Sequence, residues 1–140
     1  MALTVPNGGK LAFLDLILAN VPLYCHLYKT DTTIDRTVTG ASFTEANYTG
    51  YAAQLTASWA ASTIDGSNRA TSSAAQLTFT LTGGSAQDIY GYVLINSASL
   101  VGGSVIYAAE RFSMAPIHLA VAGDSILLTP NLTAKSEFNN

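Results

Sequence analysis

Two histidines, one cysteine and a thin scatter of acidic residues are the side chains in this 140-residue chain with the chemistry of a base, a nucleophile or a metal ligand. Cys25 and His26 are adjacent in "LYCHLYK". On a strand neighbours point to opposite faces, so these two cannot form a thiolate–imidazole pair with each other. Neither His26 nor His118 has another His or Cys at metal-ligand spacing. A couple of Cys25 with His118, brought together across two sheets, is the one nucleophilic arrangement left open. Otherwise Cys25 reads as a small buried hydrophobe, and as a lone cysteine it forms no internal disulfide. Asp31 and Asp35 in "KTDTTIDRT" do not match the spacing of a calcium loop and read as turn residues. Glu110 and Arg111 point to opposite faces of their strand, so each must pair across the sheet. The glycine-rich pieces lack the helix and lysine of a phosphate cradle. The expectation is a protein with no catalytic set, no cofactor and no metal: not an enzyme.

Composition narrows the partners. Charged residues make up 11% of the chain, against about 25% in an ordinary domain. Such a surface is either covered in part by other subunits or built from the abundant Ser, Thr, Asn and Gln. Six Lys and Arg, set against a net charge of -3, exclude the clustered cations that nucleic-acid phosphates require. The N-terminus lacks a basic leader, and the apolar run "LAFLDLILANV" is short and broken by Asp15, so neither a secretory signal nor a membrane span is expected. The sequons at Asn47 and Asn131 are accordingly expected to be unmodified.

The elements that must position these residues follow from periodicity. Residues 1–9 read as an extended arm. Residues 10–20 read as a short amphipathic helix, with Leu11, Leu14, Ile17 and Leu18 on one stripe, stopped by a left-handed Asn20 and by Pro22. From residue 23 to 133 the period is two. Leu77, Phe79 and Leu81 alternate with Thr78, Thr80 and Thr82, and "GYAAQLTASWAAS" alternates Tyr51, Ala53, Leu55, Ala57 and Trp59 with polar or small residues. Turn clusters at Gly66, Gly83–Gly84, Gly102–Gly103 and Gly123 separate the strands, and Pro130 marks an edge or a bulge. One all-β domain spanning 1–140 is expected. Its class is a β-sandwich of the Greek-key or jelly-roll kind with about seven or eight strands, an up-and-down β-barrel being the alternative.

Aromatic residues give the candidate contact surface. Trp59 shares its parity with apolar companions and is assigned to the core. "DIYGYVLIN" has apolar residues on both parities, with Tyr90, Tyr92 and Leu94 on one of them. That trio is the candidate protein–protein contact, with Gly91 a bulge or a point of close backbone approach. A sugar-binding platform on Tyr90, Tyr92 or Trp59 is the competing use of the same residues.

The order of "GGKLAFLDLILAN", "LYCHLYKTD", "FTEANYTGYAAQLTASW", "AQLTFTLTG", "IYGYVLINSA", "YAAERFSMA" and "GDSILLTPNLT" resembles the small virion proteins of tailed bacteriophages, in particular head decoration or cement proteins. The resemblance implies a β-rich, non-enzymatic protein made in the host cytoplasm and placed on the outer surface of the capsid. There such proteins, often trimers, bridge neighbouring major capsid protein subunits. It equally accommodates a carbohydrate- or receptor-binding module of a tail or baseplate, since one scaffold serves both roles.

Overall fold

The computed structural model describes residues 4–134. The first three residues of the expected arm lie outside that range, and the helix begins earlier than the periodicity predicts. Helix α1 spans Asn7–Asn20. Lys10 N–H donates to the Pro6 carbonyl at 3.1 Å, so the ladder opens at Pro6 and takes in the two glycines. At the other end Asn20 does not adopt a left-handed conformation: the described non-glycine residues with positive φ are Ser58 and Asn68. Its side-chain amide instead donates to the Leu16 carbonyl at 2.8 Å, Val21 closes the last turn onto Ile17, and Pro22 has no N–H to continue it.

The rest of the described chain is β. Eleven strands follow: β1 (Tyr24–Tyr28), β2 (Gln54–Leu55), β3 (Thr63–Ile64), β4 (Ala70–Ser73), β5 (Leu77–Thr80), β6 (Gln87–Ile89), β7 (Gly91–Ile95), β8 (Ile106–Arg111), β9 (Ile117–Leu119), β10 (Ser125–Leu128) and β11 (Asn131–Ala134). A single 3₁₀ turn lies at Gly40–Ser42. The strands form four sheets in the orders β2-β1-β7-β8, β11-β4-β3, β10-β5 and β6-β9, and every pairing is antiparallel. Pro130 divides the expected last strand into β10 and β11, its carbonyl accepting from Ala74 N–H.

Two of the alternating stretches behave differently. In β5 the pattern holds: Phe79 and Leu81 are buried while Thr78 is exposed. In "GYAAQLTASWAAS" it fails, because only Gln54–Leu55 is strand. Leu55 is 49% exposed, whereas Thr56 is buried with its hydroxyl on the Leu23 carbonyl at 2.8 Å. A polar side chain can take the inner position when a partner there accepts its hydrogen bond. Ser58 then adopts a left-handed conformation and returns the chain inward at Trp59. The half-buried Trp59 packs against two hydrophobic clusters, and its indole N–H donates to Thr56 Oγ1 at 3.2 Å.

Strand β7 lies between β1 and β8 and is buried along its whole length. Tyr92 and Leu94 belong to the main cluster with Cys25, Leu27, Phe79, Ile89 and Leu119. Val93 and Ile95 face the other way, onto Tyr28 and Phe43. Gly91 is a point of close approach: a Cβ there would fall on the Glu110 carbonyl oxygen and the Tyr28 hydroxyl. A third cluster joins α1, through Leu14, to Leu23, Ala70 and Leu132.

Candidate functional site

The titratable residues with chemical potential are distributed over the molecule. Cys25 is fully buried on β1, and burial pushes its thiol far above the ordinary range, which keeps it protonated and unreactive. His118 is exposed on β9, where its Nδ1 lies 2.6 Å from Asp88 Oδ1, directly across the β6–β9 ladder. The nucleophilic couple left open between Cys25 and His118 is not formed: one member is inside the core and the other is on the surface with an acidic partner. Asp124 lies at the turn after β9. Its carboxyl is held below the usual range because it accepts the N–H groups of Val121 and Ala120, with the charge of His118 adding to the effect.

His26 is fully buried and has a partner on each ring nitrogen. Nε2 lies 2.8 Å from the Ser97 carbonyl and Nδ1 2.6 Å from Glu45 Oε1. A carbonyl can only accept, so Nε2 carries a proton, and Nδ1 and the Glu45 carboxyl hold another between them. Tyr51 donates to the same Oε1 at 2.9 Å and accepts the Leu27 N–H. With both nitrogens occupied and no exposed surface, His26 ties three segments together and has no path to a substrate.

Asp31, Asp35 and Glu110 also have structural partners. Arg111 pairs at 2.9 Å with Asp31, which lies in the loop after β1 and not across the sheet as expected, and its guanidinium lies 5.7 Å from the Tyr90 ring centroid. Glu110 accepts from the Tyr92 hydroxyl at 2.8 Å. Asp35 binds the Thr37 N–H and hydroxyl in a tight turn, which lowers its carboxyl pKa. Among the described residues no cluster of three or more His, Cys, Asp or Glu side chains is placed to hold a metal ion.

The candidate contact trio is corrected by burial. Tyr92 is 1% exposed and Leu94 is fully buried, both inside the main cluster, while Tyr90 is half-buried beneath Arg111. The second apolar face of β7 is covered by the protein's own Phe43 and Tyr28, so it is not available to a partner. The same burial removes Tyr92 from any sugar platform.

Apolar surface is exposed elsewhere. The expected helix stripe is confirmed: Leu14 is fully buried, with Leu11, Ile17 and Leu18 packed beside it. The opposite side of α1 exposes apolar residues as well, Phe13 at 62% and Leu16 at 60% with Ala12 and Ala19 beside them, together with the charged Asp15. Beyond its C-terminal end an open groove of about 300 Å³ is lined by Leu18, Val21, Pro22, Leu55 and Trp59 among others. Further large apolar side chains are exposed at Val101 and Val105 in the β7–β8 connection, at Met114, at Val121 and at Leu127 on β10. This second helix stripe was visible in the sequence as a repeat of the same period, displaced around the helix from the first. No family model matches the chain, and no curated protein or solved structure matches it.

Proposed function

We propose that this protein is a non-enzymatic virion component that decorates the outer surface of a tailed-phage head and bridges neighbouring coat subunits. The observation that carries the reading is the placement of exposed apolar residues. They lie at separate sites, on the outer side of α1, in the β7–β8 connection and on β10, in a chain with few charges. A bridge needs at least two contact surfaces, and many weak bridging contacts add up to strong retention on a repeating shell. The resemblance of the ordered strand motifs to head decoration proteins points the same way. On this reading the four antiparallel sheets are the parts of a Greek-key or jelly-roll sandwich closed around the main cluster. The protein is made in the host cytoplasm, and none of its described helices is long and apolar enough to cross a membrane.

The test is reconstitution. Purified protein is added to purified phage heads stripped of it, and the particles are imaged. Ordered density on the outer surface at the junctions between coat subunits is expected. Failure to bind, or density confined to the tail, overturns the proposal.

A further inference from the structure

We infer that the cleft between β8 and β11 binds a primary ammonium group, and that its occupant on the particle is a lysine side chain of the coat subunit. This rests on reading the protein as a coat-binding module and names the chemistry of one of its contacts.

Strands β8 and β11 are edge strands of two different sheets, and they flank a cleft of about 290 Å³. Tyr107, Ala109 and Glu110 form one wall, Asn131 and Thr133 the other, and the buried Tyr92 lies beneath. Glu110 stands directly opposite Tyr92 in the β7–β8 ladder, so the two side chains share the face that Tyr92 turns into the main cluster. Ala108, at the same parity, packs against that cluster as well. Packing at such a position calls for an apolar side chain, and a carboxylate stands there instead. It is also fixed in orientation. The hydroxyl of Tyr92, a residue 1% exposed, donates to Glu110 Oε2 at 2.8 Å and accepts the Asn131 N–H of β11 at 3.2 Å.

The fixed groups left to the cleft are mainly acceptors. The Tyr92 hydroxyl and the Asn131 N–H are already engaged, and the Asn131 side-chain amide donates to the Thr129 carbonyl at 3.3 Å. Glu110 Oε1 and Asn131 Oδ1 remain. The Phe112 N–H donates to the Tyr90 carbonyl, and the alternation of an antiparallel ladder then turns the Ala109 carbonyl outward as a third acceptor. No cation lines the cleft among the described residues, and Arg111, next to Glu110 in the chain, is engaged by Asp31. These groups select the ligand. An anion is repelled, and a divalent metal would find a single carboxylate. A guanidinium needs both carboxylate oxygens for its fork, and the Tyr92 hydroxyl already occupies Oε2. An ammonium is a compact charge with three donors on a thin apolar stem, which matches the three acceptors, and Tyr107 supplies a wall for the stem. One such contact at an exposed carboxylate is weak, and repetition over a particle multiplies it.

Titration of the full chain with n-butylamine, which is protonated at neutral pH, followed by nuclear magnetic resonance, tests the site. Saturable shifts of the Ala109, Asn131 and Thr133 amide signals are expected. The uncharged n-butanol and the forked n-butylguanidinium should each bind about tenfold more weakly. No saturable shift with butylammonium, or either control binding as tightly, would overturn the inference, and both contrasts are read on the unaltered chain. Glu110→Gln keeps an acceptor for the Tyr92 hydroxyl, so its melting temperature should stay near that of the wild type while butylammonium binding falls about tenfold. Unchanged binding by this variant would also overturn the inference. On phage heads Glu110→Gln should be retained about tenfold less well, and undiminished retention would overturn the coat lysine as the occupant. Heads that fail to bind the wild type would remove the proposed function and the coat lysine with it, while the titration still decides whether the cleft binds ammonium.

Discussion

Replacing Gly91 with alanine tests the account of the central sheet at its tightest point. The new Cβ would fall on the Glu110 carbonyl oxygen and the Tyr28 hydroxyl, with Tyr28 Cζ at 2.7 Å. Neither neighbour can step aside. Glu110 is backbone in β8, paired to β7 at this level, and the Tyr28 ring is held by Phe43 at a centroid distance of 4.9 Å. Overpacking of this kind costs about 1–3 kcal/mol. Displacing Tyr28 also breaks the hydrogen bond from its hydroxyl to the Glu110 carbonyl, which is 3.1 Å long. Stranding that hydroxyl in the core costs a further ~1–3 kcal/mol. Together they remove roughly 2–6 kcal/mol, which for a chain of this size lowers the Tm by about 7–20 °C. Thermal and urea unfolding measure it, with an unchanged urea slope showing that the unfolded state is not the cause. The sharper readout is the double variant. Tyr28→Phe removes one of the two colliding groups, so Gly91→Ala should be less damaging in its presence, by about 1 kcal/mol or more. A fall in Tm below about 3 °C, or strict additivity of the two substitutions, would refute the reasoning.

Other expectations follow from single groups. The Tyr48 hydroxyl is buried without a hydrogen-bond partner among the described residues, so Tyr48→Phe should hold or raise the Tm; a marked fall would show a partner that this geometry lacks. Burial pushes the phenols of Tyr28 and Tyr48 up to about 12 from the ordinary 10. Their folded-state pKa values are raised, so their contribution to stability is complete below the unfolded value and is lost as the pH climbs toward about 12. The urea midpoint should fall across that interval, and a flat profile would contradict the burial argument. Asp124 has the opposite sign: its carboxyl is lowered by the Val121 and Ala120 N–H groups, so its contribution exists above the ordinary Asp pKa and disappears as the pH falls through the lowered folded value. Asp124→Asn should melt below the wild type at neutral pH and match it in strong acid. A gap that stays constant with pH would show that charge at this turn plays no part.

How much of this was legible in the sequence depends on how far away the deciding partner lies. The stripe that seats α1 and the alternation of β5 rest on neighbours within a few residues, and the structure has them; Pro130, expected at an edge or a bulge of one strand, instead separates β10 from β11. His26 could not be assigned from its surroundings in the chain, because the groups that satisfy it, Glu45 and Ser97, are 19 and 71 residues away. The parity of "GYAAQLTASWAAS" was lost for a similar reason: the Leu23 carbonyl, 33 residues distant, gives the Thr56 hydroxyl an inner partner and turns Leu55 outward.

Strand β7 and helix α1 show the same limit from opposite directions. Each carries apolar residues on both sides, and by pattern alone each qualifies equally as a partner-binding element. What separates them is position in the fold. β7 sits between β1 and β8, with clusters over both faces, so its second apolar face is what a central strand in a doubly covered sheet must have. α1 leaves Phe13 and Leu16 more than half exposed on the side away from Leu14. Hydrophobic periodicity therefore identifies the surfaces that need covering, and topology decides which of them the chain covers for itself. Moving the candidate contact from Tyr92 and Leu94 to Phe13 and Leu16 follows from that distinction. It also reverses the consequence of mutation: Tyr92→Glu would bury a carboxylate in the core and unfold the protein, whereas a charge at the exposed Phe13 is expected to cost far less stability.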